Sequence, residues 1–185
     1  GTAQCFRPRV HGSIITMGQL PICTYTNDIF PDLILFWGHN PIYSGPDGEL
    51  GFGVREALAR KPKIIVVDPR KTTLARRADV WLQLRPGTDD ALALAMLNVI
   101  VEEGLEDRQF VDKWCYGYEE LAQRVKTYTP EWAEPITWCS AGDIRAAARL
   151  YAQIKPSMLE WGCAIEHTPA CFQTVRALLC LPSIT

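Results

Sequence analysis

The run Asp32-Leu-Ile-Leu-Phe-Trp37, almost wholly apolar and closed by Gly38, constrains this chain more than any other stretch. A strand solvated on one face alternates apolar and polar residues, whereas a strand covered on both faces reads as a continuous apolar run. Lys63-Ile-Ile-Val-Val67 has the same form and is closed by Asp68-Pro69. Val80–Leu84 and Ser157–Trp161 give two further strands, the last again followed by a glycine, Gly162. Helical stretches lie between them: Phe52–Lys61, a short basic helix over Lys71–Ala78, Asp89–Glu103 with Thr88 or Asp89 as its cap, and Arg108–Cys115 capped by Asp107. Tyr118–Tyr128, a helix opened by Ser140-Ala-Gly-Asp143 and running through Ile154, and Pro169–Leu181 complete the pattern. Strands that alternate with helices predict an α/β fold, an αβα sandwich built on a parallel, Rossmann-like sheet.

The 185 residues suit one domain, and no linker or low-complexity segment divides them. With 48% hydrophobic and 22% charged residues the chain can bury a core without staples. A net charge of −2 gives no basic surface for nucleic acid. No apolar run approaches the ~20 residues of a membrane helix, and no signal-like leader is visible. Seven cysteines without CxxC spacing predict neither a disulfide framework nor a zinc or iron–sulfur site within this segment, and they favour a reducing compartment, although an enzyme folded before export would look the same. The opening Gly1-Thr2 and the close at Leu181-Pro-Ser-Ile-Thr185 predict a piece of a longer protein.

Ligands of open α/β sheets bind beyond the carboxyl ends of the strands. Here that rule selects the loops Gly38–Gly48, Asp68–Arg70, Arg85–Asp89 and Gly162–Pro169. Gly38 lets backbone approach a phosphate, with Asn40 as donor or acceptor beside it. Asp68 can accept from a ribose diol or a guanine edge, and Arg70 can neutralise a phosphate. Each also has a plain reading: a loop start, an Asp-Pro turn, a solvated helix start, and for Asp89 a helix cap. No GxGxxG or P-loop supports an ordinary NAD or ATP site. Cys5 stands between Arg7 and Arg9 on one side and the chain start on the other, and nearby arginines favour the metal-binding thiolate. Glu166-His167 offers an acid–base pair or a surface loop, and Trp114, Trp132 and Trp138 read as packing residues. Leu33–Gly38 and Met158–Gly162 share a strand ending in Trp-Gly, either two equivalent ligand-facing strand ends or coincidence.

Taken together, Asp32–Pro41, Val54–Leu58, Ile65-Val-Val-Asp-Pro-Arg-Lys-Thr72, Ala78–Leu82 and Leu84-Arg-Pro-Gly-Thr-Asp89 resemble the molybdopterin oxidoreductases that use two pterin–guanine dinucleotides. That family is often named after dimethyl sulfoxide reductase and formate dehydrogenase. The likeness continues through Ala93–Gly104, Phe110–Trp114, Tyr118–Leu121, Ile144–Tyr151, Trp161-Gly162 and Gln173–Arg176, in order and over nearly the whole chain. Trp114–Leu121 is most similar to the acetylene hydratase-like branch.

The resemblance implies a contiguous dinucleotide-binding domain of a larger enzyme. Gly38 and Asn40 would lie along the pyrophosphate, Asp68 and Arg70 at the nucleoside or phosphate end, Gly87 and Asp89 at the guanine, and Trp161, Gly162 and the loop through His167 on the pterin side. Cys5 falls where the family often supplies a metal ligand. The implied cofactor is a bis-molybdopterin guanine dinucleotide with Mo or W. An iron–sulfur cluster is implied in the parent's N-terminal part, and the implied partners are the parent's other domains and an electron-transfer subunit. Cys163-Ala164, Glu166-His167 and Cys171 depart from the family's Gly-rich, Gln-containing loop and leave the substrate open. Two rivals remain: a nucleotide-dependent transferase on a doubly wound fold, and a non-catalytic scaffold.

Overall fold

The computed structural model describes residues 6–21, 30–44 and 48–185, with the side chains of 48–51 left aside. The four apolar runs form the strands β1 (Leu33–Trp37), β2 (Lys63–Val67), β3 (Val80–Leu82) and β4 (Ser157–Trp161), in the order β3-β2-β1-β4. Every pairing is parallel: Leu33 to Trp37 of β1 face Lys63 to Val67 on one side and Ser157 to Trp161 on the other. The parallel, doubly covered sheet expected from the continuous runs is therefore present.

The two-residue period of a strand sends successive side chains to opposite faces. Leu33, Leu35 and Trp37 join Ile65, Val67 and Leu82 on one face. That face is covered by α4 (Asp89–Glu102), α8 (Ala141–Gln153) and α9 (Cys171–Ile184). Ile34, Phe36, Ile64 and Val66 turn the other way and pack on Val54, Ala57 and Leu58 of α3 (Gly48–Ala59). All five side chains of β1 are fully buried, which is why its sequence tolerates no polar residue.

Several caps act as the sequence suggests. Asp107 Oδ1 accepts from Phe110 N at 3.0 Å to start α5 (Arg108–Trp114), and Ser140 Oγ accepts from Asp143 N at 3.1 Å to start α8. α6 covers Tyr118–Val125. Other elements differ from expectation. The basic stretch after β2 is a turn with a single 3-10 turn, Ala75–Arg77, rather than a helix, with Thr72 Oγ1 accepting from Ala75 N at 3.1 Å. β3 stops at Leu82, where Leu84 N turns back to Leu82 O.

Three helices lie where the pattern gave no element: α1 (Phe6–Met17), α2 (Pro41–Ser44) and α7 (Pro130–Thr137). α7 carries Pro135 inside it and is started by Thr129, whose hydroxyl accepts from Trp132 N. α1 is held by packing. A Cβ on Gly12 would lie 2.6 Å from Val175 Cγ1, so glycine lets α1 sit directly on α9. Trp114 and Trp138 are two-thirds exposed and Trp132 is over a third exposed, so these three do not pack into the core.

Cys139, between α7 and α8, is 4% exposed, and burial pushes its thiol up to about 11. The unfolded thiol ionises first, near 9, so this contribution is intact below that pH and lost as pH rises through the folded value. We expect unfolding titrations to show about 2 kcal/mol of stability lost between those two values, and Cys139→Ala to remove that slope.

Candidate functional site

The strand order runs outward from β1 through β2 to β3 and then returns to the other side of β1 with β4. The chain thus reverses direction between β1 and β4, and loops leaving the two strands there must diverge and open a crevice. Because all strands are parallel, the loops after Trp37, Val67, Leu82 and Trp161 leave from one edge. Gly38, Asp68, Gly87, Asp89 and Gly162 all belong to that edge.

At this switch point the two strand ends meet in backbone contact. Trp37 and Trp161 are register partners, so the two Trp-Gly ends are neighbours. Gly38 N donates to Val67 O at 2.8 Å and Gly162 N to Trp37 O at 3.0 Å, which extends the ladder one step on each side. Gly38 has φ +57, a left-handed conformation that glycine adopts without strain. A Cβ on Gly162 would lie 2.3 Å from Gly38 O, so only glycine fits there.

Polar groups gather around this contact. Trp161 is 9% exposed and, among the described residues, its Nε1 has no hydrogen-bond partner; nor has Asn40 Oδ1. Buried polar atoms are ordinarily paired, so such orphans at a strand-end crevice indicate a missing partner. His39 Nδ1 lies 2.7 Å from Oε1 of Glu160 in β4, off the axis of a ring hydrogen bond. From α1, Arg9 Nε donates to Glu166 Oε1 at 2.6 Å, its Nη2 donates to Trp161 O at 3.1 Å, and its guanidinium stacks over the Trp161 ring. Glu166 is 2% exposed and tied to Arg9. It is buried rather than part of a surface loop, while His167 beside it is exposed.

The remaining expected residues spread along the same edge. Asp68 is 5% exposed and its Oδ1 accepts from Arg70 N at 2.8 Å, while the Arg70 side chain is largely exposed. Gly87 lies exposed in the turn before α4. Asp89 does not act as the α4 cap: its Oδ1 accepts from Trp37 Nε1 at 2.8 Å, and Thr88 Oγ1 instead donates to Arg85 O. Burial raises the Asp89 carboxyl above its ordinary range, with the Trp37 bond opposing the shift. Trp37→Phe is expected to leave this oxygen buried without its donor and to lower stability by about 2 kcal/mol. Chemical denaturation will check this, and the loss should shrink in mild acid, where the carboxyl protonates. Cys5 lies outside the described residues.

The pattern of strand ends could not single out His39, Glu160 or Arg9. His39 and Glu160 are polar residues beside a strand end and inside a strand, and Arg9, in α1, has in the sequence only its nearness to Cys5.

Comparison with known proteins adds independent findings. The family model for molybdopterin oxidoreductase matches residues 23–184. Over 179 residues the chain is 40% identical to formate dehydrogenase H of Escherichia coli, covering 96% of this chain and 25% of that protein. Over 131 residues it is 44% identical to acetylene hydratase of Syntrophotalea acetylenica, covering 71% of this chain and 18% of that one. The solved structure of acetylene hydratase from Pelobacter acetylenicus superposes with a TM-score of 0.90 at 34% identity, over 99% of this chain and 25% of that one. The chain thus spans about a quarter or less of the length of these relatives.

Proposed function

The chain belongs to the molybdopterin oxidoreductase family, and from that premise we propose that it is the part of a molybdenum- or tungsten-dependent enzyme that holds a pterin–guanine dinucleotide along the carboxyl edge of its sheet. One observation carries the reading: among the described residues, buried Trp161 Nε1 and Asn40 Oδ1 have no partner at the β1/β4 switch point. A donor and an acceptor there suit a ligand that bears both, as a pterin or a sugar–phosphate does. Gly38 and Gly162 let the two strand ends touch, a Cβ on Gly162 meeting Gly38 O at 2.3 Å, and the two unpartnered polar atoms beside that contact fit such a group.

In this reading Gly38 and Asn40 run along the pyrophosphate. Asp68, already fixed by Arg70 N, and the exposed Arg70 guanidinium serve the nucleoside and phosphate end. The Gly87 turn and Asp89, anchored on Trp37, border the guanine. Trp161, Gly162 and the segment to His167 face the pterin, and exposed His167 is available to pass a proton. Cys5 supplies a thiolate to the metal. The bound cofactor supplies oxygen-atom, hydride or hydration chemistry, and the protein orients and tunes it. The parent enzyme would provide an N-terminal iron–sulfur cluster, a further dinucleotide domain and an electron-transfer partner.

The test is composition. The purified full-length protein is assayed for Mo and W by mass spectrometry and for GMP after acid hydrolysis. Metal accompanied by a pair of guanine nucleotides per ion supports the proposal, as does loss of metal in Cys5→Ala. A protein free of metal and pterin contradicts it and points to a scaffold. A copurifying ATP, NAD or sugar nucleotide points to a transferase.

A further inference from the structure

We propose that the Trp138 indole, steadied by Arg85, is the wall against which the guanine base of the bound dinucleotide stacks. The inference rests on the dinucleotide reading above and deepens it. That reading borders the base with Gly87 and Asp89 and leaves its flat face without a partner. The first observation is backbone strain. Trp138 closes α7 with φ +66 and ψ 6, the left-handed conformation. Glycine takes that conformation freely and commonly ends helices in it, whereas a large side chain is strained there. The second is exposure. The side chain gains little from packing in this domain, since Trp138 is 68% exposed. An exposed indole on strained backbone lowers the stability of the domain on both counts, and outliers of this kind cluster at ligand clamps.

The third observation is position. Arg85 N donates to Thr137 O at 2.8 Å, which fastens the end of α7 to the loop that runs from β3 into α4. The Arg85 guanidinium lies over the Trp138 ring, 5.3 Å from its centroid. Arg85, Pro86 and Gly87 are exposed, and the same stretch ends at Asp89, the first residue of α4. The indole therefore stands beside the loop that the dinucleotide reading gives to the guanine, at the β3 end of the carboxyl edge. A purine and an indole are fused bicycles of similar size, and a base stacks on an aromatic ring whatever hydrogen bonds its edge makes. The guanidinium limits the ring's orientation and adds cation–π attraction, so the wall is set before the base arrives.

The experiment uses the full-length, cofactor-loaded protein and follows release of GMP-bearing cofactor during dialysis against urea below the unfolding transition. Melting of the emptied protein is measured alongside. Trp138→Gly removes the ring and relaxes the backbone. It should release the cofactor about tenfold faster, the size of one base–aromatic stack, while the emptied variant melts no lower than the emptied wild type. Trp138→Tyr keeps an aromatic face and should recover most of the retention. Arg85→Ala leaves the ring in place and should speed release less, about threefold. Faster release that comes with lower melting of emptied Trp138→Gly and is not recovered by Trp138→Tyr would mark a structural cap and overturn the inference. Retention unchanged in a folded Trp138→Gly protein overturns this inference alone. Full-length protein without any guanine nucleotide overturns the dinucleotide reading and this inference with it.

Discussion

Gly162→Ala is expected to destabilise the protein by about 3 kcal/mol, the upper end of what added volume costs in a packed interior. The reason is spatial. Gly162 has φ −92 and ψ 173, extended backbone that any residue adopts. The new methyl would instead meet Gly38 O at 2.3 Å, Gly38 C at 3.1 Å and the His39 Cα at 3.3 Å. Those are backbone atoms, held by the ladder bonds from Gly38 N to Val67 O and from Gly162 N to Trp37 O, and they have no rotamer to escape into. Relief requires parting β1 from β4 at the edge where the crevice opens. Urea unfolding should show the loss, and hydrogen exchange should speed at the Gly38 and Gly162 amides while α4 stays protected. An alanine variant of native stability would mean that the two strand ends do not touch.

Arg9→Ala should lower stability by a similar amount, about 3 kcal/mol, because it strands a buried carboxylate. The Glu166 side chain is 1% exposed, and Arg9 reaches it from α1 while also binding Trp161 O and covering the Trp161 ring. Adding Glu166→Gln to Arg9→Ala should return part of the loss, since the uncompensated charge is then gone. Arg9→Lys should fall short of wild type, because an ammonium cannot both fork to two acceptors and stack. Double-mutant unfolding measures both statements. Additive losses would show that the two side chains do not pair.

The sheet was legible because a doubly covered strand must be apolar throughout: β1 and β2 match the runs ending at Trp37 and Val67 residue for residue or nearly so. Strand order followed less directly, yet the shared Trp-Gly endings of β1 and β4 mark neighbours in register. Ends set by a local hydroxyl or carboxylate, at Asp107 and Ser140, could also be read. α1 could not, since Pro8, Gly12 and the β-branched Ile14-Ile-Thr16 argue against a helix in isolation and only α9 makes one.

Of the candidate site, the glycines and carboxylates at strand ends were legible because topology puts them there. The ion pairs were not. Arg9 and Glu166 are 157 positions apart, and no periodicity links them. Asp89 shows the limit of a local reading: a carboxylate opening a helix suggests a cap, but the Trp37 indole claims it once the sheet is formed.

The central claim is that a guanine dinucleotide lies at the crevice between β1 and β4. A density map of the full-length protein with its native cofactor tests it most directly. We expect phosphates beside Gly38–Asn40, with the nucleotide lying along the edge that carries Asp68 and Asp89. Density for the nucleotide at the opposite edge of the sheet, near Asp32 and Lys63, or polypeptide filling the crevice instead, would contradict the account.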